Sequence, residues 1–321
     1  MDKFLERYSS VIEQAFGEYY RRHTSPEHLY QPVHYILSLG GKRLRPALVL
    51  LAADSFGCPL EKAMPAAMAI EVFHNFSLVH DDIMDRAPLR RGHPTVHCRW
   101  DANTAILSGD VMMIQAYELF ETYRGDTFRE VILAFNRVAR QVCEGQQLDM
   151  DYEKIGDVSQ AQYMEMIRLK TAVLIGGALR IGGIVAGASA RELEALEGFG
   201  TDVGLAFQLT DDYLDTFGDP RTFGKRIGGD ILEGKKTFLY ITARERASRE
   251  EFERAFSLAD EEEKIEAVRD LYRATGADRA LREQIDRYTE KALAHVDRLP
   301  FSQPYREHYI RLARALVQRK L

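Results

Sequence analysis

The residues best suited to chemistry in this chain are two acidic clusters of identical spacing. The first is Asp81-Asp82-Ile83-Met84-Asp85 and the second is Asp211-Asp212-Tyr213-Leu214-Asp215. On a helix at about 100° per residue, Asp81 and Asp85 lie about 40° apart, one turn from each other. Carboxylates packed this closely repel one another and reward a bound hard cation. Oxygen-only ligands suit Mg²⁺, which commonly takes one or two carboxylates plus substrate phosphates. One such cluster alone could equally be an exposed acidic helix end. The repetition argues otherwise, because Asp211, Asp215, Gln208, Phe207 and Gly204 also fall within about 100° of helical arc. Both clusters follow apolar helical stretches, Ala66 to Val79 and Val203 to Leu209, so each projects from a helix that is otherwise core. Two clusters 130 residues apart in sequence can then face each other across one cavity.

A diphosphate held by a cation still needs basic side chains on its remaining oxygens, Arg as a planar fork and Lys as a point charge. Gly40-Gly41-Lys42-Arg43-Leu44-Arg45-Pro46 places basic residues after two glycines at a helix start, where backbone amides add to an anion site. Arg90-Arg91-Gly92 follows the first acidic cluster closely, and Lys170-Thr171, Gly224-Lys225 and Lys235-Lys236-Thr237 come later. His74 precedes Asp81 by seven residues and Asp85 by eleven. An ideal helix puts these three within about 20–40° of one another. A lone helical histidine is more often structural, but alignment with the acidic face raises the ligand reading. Cys58, Cys98 and Cys143 read as inert packing, and His93 and His97 as loop residues without a partner at zinc spacing.

Helices must position these groups. Phe4, Tyr8, Ile12, Ala15, Phe16 and Tyr19 mark one helical stripe. The same style recurs over 44–56, 63–80, 104–123, 128–148, 161–188, 190–213, 236–247, 260–275 and 278–299. Strand-like alternation is almost absent, and breaks fall at Gly40-Gly41, Gly57-Cys58-Pro59, Pro88 to Pro94 and Phe217 to Gly229. The stretch from Arg244 to Glu266 reads as a charged, solvated helical hairpin. The expected architecture is all-α, a single helical domain over 1–321.

With 321 residues, the chain can bury a sizeable core without disulfides or a structural metal. Its 43 basic and 49 acidic residues give a net charge of −6, which excludes a general affinity for nucleic acid. Three widely spaced cysteines suit a reducing, cytoplasmic setting. The N-terminal residues open a charged helix rather than a signal peptide. Thr171 to Ala190 carries Arg180 at its centre and five glycines, so it reads as a tightly packed helix rather than a transmembrane segment.

Taken in order, Gly40 to Pro46, Leu78 to Asp85, Arg90 to Gly92, Phe207 to Asp215, Gly224-Lys225 and Lys235 to Thr237 resemble the trans-isoprenyl diphosphate synthase (polyprenyl synthetase) family. The match runs from about residue 40 to 240. One departure is Gly234, where some members carry Asn before the lysine. The resemblance implies helices around a deep central cavity, a homodimer, and three Mg²⁺ ions per active site. It implies that Asp81, Asp82, Asp85, Asp211 and Asp215 coordinate Mg²⁺ on an allylic diphosphate (dimethylallyl, geranyl or farnesyl), with Asp212 among the catalytic acids. Arg90, Lys170, Lys225 and Lys235 would hold the same diphosphate. Lys42, Arg45, His74 and Arg91 would hold isopentenyl diphosphate, while Thr171, Phe207 and Gln208 line the reacting centre.

The implied reaction ionises the allylic C–O bond, and the alkene of isopentenyl diphosphate attacks the cation in a dry cavity. In the family, bulky residues just before the first cluster limit chain growth. Phe76 and Phe73 are bulky and Ser77 is small, which suggests a short product, farnesyl or geranylgeranyl diphosphate. Helix geometry disagrees, since it sets Phe76 about 140° from Asp81. The alternatives are a longer-chain polyprenyl diphosphate synthase, a class I terpene cyclase and a non-catalytic partner subunit. A cyclase would normally carry an Asn/Ser/Glu second metal motif, and partner subunits commonly lose one acidic cluster.

Overall fold

A computed structural model describes residues 3–219 and 227–317. The 3.6-residue periodicity closes into helices: α1 (Lys3–Tyr20), α2 (Glu27–Ser38), α3 (Leu44–Ser55), α4 (Leu60–Met84), α5 (Val96–Arg99), α6 (Ala102–Phe120), α7 (Gly125–Lys154) and α8 (Gln160–Ile167). A π-turn at Arg168–Ala172 leads into α9 (Val173–Val185) and α10 (Ala190–Phe217). Then come α11 (Gly229–Leu232), α12 (Phe238–Arg246), α13 (Arg249–Phe256), α14 (Glu261–Ala274), α15 (Ala277–Val296) and α16 (Gln303–Val317). The all-α expectation holds; the strands among the described residues are β1 (Leu89–Arg90) and β2 (His93–Pro94).

Three differences from the periodicity matter. The expected helix over 161–188 is interrupted by the π-turn that carries Lys170 and Thr171. The break from Pro88 to Pro94 is a small hairpin, with Arg90 paired to His93 and Leu89 to Pro94. Its turn residues Arg91 and Gly92 have φ of 54° and 77°, the mirror-image turn that fits strand twist. α2 and α16 lie where no helix was expected.

The chain forms two compact units. One takes in the described residues of Met1–Ala139, Gly177–Glu197 and Phe301–Tyr305. Within it, Gly182 lets α9 touch α3: a β-carbon there would meet the Val49 carbonyl oxygen at 2.2 Å. The glycine-rich stretch is therefore a packed helix, and no described helix is long and apolar enough to cross a membrane. The second unit takes in the described residues of Arg140–Gly176, Gly198–Pro300 and Arg306–Leu321. Its core gathers Tyr163, Ala172, Leu205, Leu209, Leu239, Tyr272 and Leu281. The charged stretch after Arg244 resolves into short capped helices, with Ser248 and Asp260 as N-caps.

Candidate functional site

In the first unit, α4 carries Asp81 and Asp82 in its last turn and ends at Asp85, its C-cap. Carboxylates at a helix C-terminus oppose the helix dipole, so the cluster costs the helix stability and rewards a cation. Asp82 is fully buried, while Asp85 is exposed. Arg90, presented by the hairpin, reaches Asp82 Oδ1 with Nη2 at 2.5 Å and Nε at 3.0 Å. Burial raises the Asp82 carboxyl, and the Arg90 guanidinium offsets part of that rise. Asp82 Oδ2 is buried with no hydrogen-bond partner. That orphaned oxygen, among oxygen-only donors, fits a hard cation of the Mg²⁺ kind.

Beside it lies a basic patch. Arg43 caps α3 at φ 43° and turns inward, with Nη1 at 2.8 Å from buried Glu71 and Nε at 2.6 Å from Glu13. Removing one partner of such a buried pair typically costs about 3–5 kcal/mol, because the other charge is left uncompensated. Arg43 is thus structural, which leaves its neighbours for ligands. Arg45 and Arg91 bond neutral partners, Arg45 Nη1 meeting His74 Nε2 at 3.0 Å and Arg91 Nη1 donating to the Gly40 carbonyl. Arg45 Nε is buried without a partner, and burial pulls its guanidinium down to about 10. Gly41 must be glycine here: its φ is 127°, and a β-carbon would meet the Arg91 guanidinium carbon at 2.9 Å. Lys42 stands exposed at the same turn.

His74 faces arginines rather than carboxylates. Burial, then Arg45, Arg91, Arg90 and Arg43, hold it well below its ordinary value, so it is neutral and accepts from Arg45. The unfolded chain binds this proton near pH 6.5 and the folded protein does not. Its contribution is therefore present above pH 6.5 and lost as pH falls below it. The wild-type protein should lose stability between pH 6.5 and 5.5 with an extra slope approaching ~1.4 kcal/mol per pH unit, and His74→Gln should remove that excess in denaturant titrations. Parallel pH profiles for the two proteins would refute the buried neutral assignment.

In the second unit, α8, the π-turn, the end of α10 and the loop into α12 enclose a cavity of about 410 Å³. The acidic cluster again sits at a helix C-terminus, and again its middle member is buried: Asp212 is 5% exposed. Burial and nearby Asp230 push its carboxyl up to about 8, while hydrogen bonds from Tyr163 and Gln208 oppose the rise. Tyr163 donates to Asp212 Oδ2, and Gln208 Nε2 donates to Oδ1 at 3.2 Å. Thr171 Oγ1 meets Gln208 Oε1 at 3.2 Å, and Lys170 Nζ lies 2.5 Å from Asp149 Oδ2. Asp215 Oδ2 accepts from the Asp230 amide at 3.0 Å, which ties the cluster to α11. Lys235 Nζ lies 3.3 Å from Asp230 and 2.8 Å from Glu233. Burial alone would lower Lys235, but these two carboxylates raise it above its ordinary value.

The structure brings Lys170, Thr171, Gln208, Asp212 and Lys235 to one cavity, and Lys42, Arg45, His74, Asp82, Arg90 and Arg91 to neighbouring turns of the other unit. Asp211 and Phe207 are half-buried on α10. Lys225 lies outside the described residues. Phe73 is fully buried against Phe135, with ring centres 5.2 Å apart, whereas half-buried Phe76 leans on His80 at 4.8 Å. Half-buried Ser77 donates to the His74 carbonyl at 2.9 Å. Sequence reasoning missed Asp149, Tyr163, Asp230 and Glu233. Among the described residues no three His, Cys, Asp or Glu side chains form a metal-sized group. One or two carboxylates per ion, completed by phosphate oxygens, need no such group.

A profile of the polyprenyl synthetase family matches residues 26–275. The chain belongs to this family. A short chain isoprenyl diphosphate synthase from Methanothermobacter thermautotrophicus is 40% identical over 277 residues, covering 85% of each chain. A geranylgeranyl diphosphate synthase from Methanosarcina mazei is 41% identical over 244 residues, or 75% of each. A crystal structure of a geranylgeranyl pyrophosphate synthase superposes with a TM-score of 0.92 at 47% identity, covering 98% of this chain and 99% of that one. Gly234, just before Lys235, has a φ of 67°, a conformation that Gly and Asn tolerate best.

Proposed function

We propose that this chain is a trans-prenyltransferase that joins isopentenyl diphosphate head-to-tail to an allylic diphosphate, giving a short all-trans product. The observation that carries this reading is the pair of Asp-Asp-x-x-Asp clusters at helix C-termini, each accompanied by basic side chains. Asp81, Asp85, Asp211 and Asp215, with Asp82, would hold Mg²⁺. Bound Mg²⁺ would supply electrostatic stabilisation of the departing pyrophosphate. Arg90, Lys170, Lys225 and Lys235 bind the allylic diphosphate oxygens and share that charge. Lys42, Arg45, His74 and Arg91 hold isopentenyl diphosphate, with neutral His74 orienting Arg45. Thr171, Gln208 and the Phe207 ring orient the reacting carbons and exclude water. No protein base is required, since the released pyrophosphate can take the proton lost when the new double bond forms.

Exposed Leu107, Ile114 and Leu133, at 59%, 57% and 58%, give α6 and α7 an apolar face that supports a homodimer. The three widely spaced cysteines suit a cytoplasmic enzyme. The test is pyrophosphate release. It should require both isopentenyl diphosphate and an allylic diphosphate, and stop when Mg²⁺ is chelated. Release from the allylic diphosphate alone would instead mark a terpene cyclase.

Phe76 is the candidate for limiting product length, because Phe73 is locked in the aromatic core. Phe76→Ala should lengthen the product by at least one isoprene unit in chromatographic analysis. An unchanged product distribution would remove Phe76 from that role.

A further inference from the structure

The polar wall of the second unit's cavity holds a hydrogen-bonded series that starts at Tyr163. Its hydroxyl donates to Asp212 Oδ2. Gln208 Nε2 donates to the other oxygen of that carboxylate at 3.2 Å, and Thr171 Oγ1 donates to Gln208 Oε1 at 3.2 Å. The Tyr163 hydroxyl and the Gln208 amide both donate to Asp212, so Asp212 sets the direction of the series. The Gln208 amide must turn its nitrogen to Asp212 and its oxygen to Thr171. Thr171 then commits its one hydroxyl proton to Gln208 and offers lone pairs to whatever else it meets. That is the polarity a developing carbocation requires of its neighbours.

The two acidic clusters differ at this point. Arg90 holds Asp82 with a charged guanidinium, whereas Asp212 is held by a phenol and an amide, neither of which carries a charge. Tyr163 is suited to the task because α8 fixes it. Ser159 and Gln162 cap that helix reciprocally, and the ring is 3% exposed in the apolar core.

We propose that Tyr163 is a positioning residue, which anchors Asp212 and thereby orients Gln208 and Thr171 toward the reacting carbons. This rests on the prenyltransferase reading above. Tyr163→Phe keeps the ring and removes only the hydroxyl. It should lower kcat about tenfold, the upper end for one buried hydrogen bond. KM for isopentenyl diphosphate should stay within about twofold, because that subsite uses other residues. Calorimetry with magnesium pyrophosphate on the full chain should show several-fold weaker binding to Tyr163→Phe. Asp212→Asn should weaken it at least as much, and the double variant no further than Asp212→Asn alone. Wild-type kcat and wild-type pyrophosphate binding in Tyr163→Phe would overturn the proposal, as would additive losses in the double variant. If the wild-type protein condensed nothing, the prenyltransferase reading would fail, and the calorimetric comparison would still decide what Tyr163 does to Asp212.

Discussion

Asp81→Ala and Asp211→Ala should each cut condensation turnover by about 10²–10³-fold or more, the cost of deleting a group that stabilises charge only as it develops. Both should leave the metal-free protein close to the wild type in stability. Each residue belongs to a cluster of three carboxylates near the C-terminal end of its helix, α4 or α10, where it repels its neighbours. Removing it relieves that repulsion. Loss of turnover without loss of thermal midpoint therefore separates a functional cluster from a structural one. Near-normal turnover in both variants would sink the assignment, and a collapse in stability would make the clusters part of the scaffold.

Gly145→Ala should be nearly as damaging by a different route. A β-carbon at Gly145 would meet the Lys170 backbone nitrogen at 2.2 Å and the Leu169 carbonyl carbon at 2.6 Å. On the other side, a β-carbon at Gly204 would meet Ala172 Cα at 2.6 Å. The π-turn is thus gripped between α7 and α10 by two glycines, and backbone cannot yield as a side chain can. Such π-turns recur at functional sites because they re-aim consecutive residues. A displacement of about 1 Å at Lys170 and Thr171 is enough to lose about 10² in turnover. Gly145→Ala should show that loss together with a lower thermal midpoint. Gly156→Ala, which meets nothing within 4 Å, should match the wild type in both measurements.

What could be read in the sequence follows from the range of each signal. The acidic clusters, the arginines of the 40–46 and 90–92 segments and most helices repeat over three to seven residues, so local spacing exposes them. Asp149 and Tyr163 act through partners 21 and 49 residues away, and no local pattern marks such pairs. Asp230 lies close to Lys235 in sequence, but its link to Asp215 reaches 15 residues back along the chain. Arg43 shows the limit from the other side. Composition cannot separate it from Lys42 or Arg45, whereas its left-handed backbone turns it onto Glu71 and makes it structural. His74 aligned with the acidic face of α4 as the helix angles require, yet its partner is Arg45, because α3 packs along that face. The π-turn leaves no local mark either: the glycines that accommodate it, Gly145 and Gly204, lie on α7 and α10.

Condensation is read out by transfer of label from isopentenyl diphosphate into an extractable product. Purified protein with Mg²⁺ would be given labelled isopentenyl diphosphate and, in turn, dimethylallyl, geranyl or farnesyl diphosphate, with products separated by chain length. Label should enter an all-trans product of farnesyl or geranylgeranyl length, and only when an allylic diphosphate is supplied. Folded protein that transfers no label with any of the three would contradict the assignment and leave a non-catalytic partner subunit as the reading.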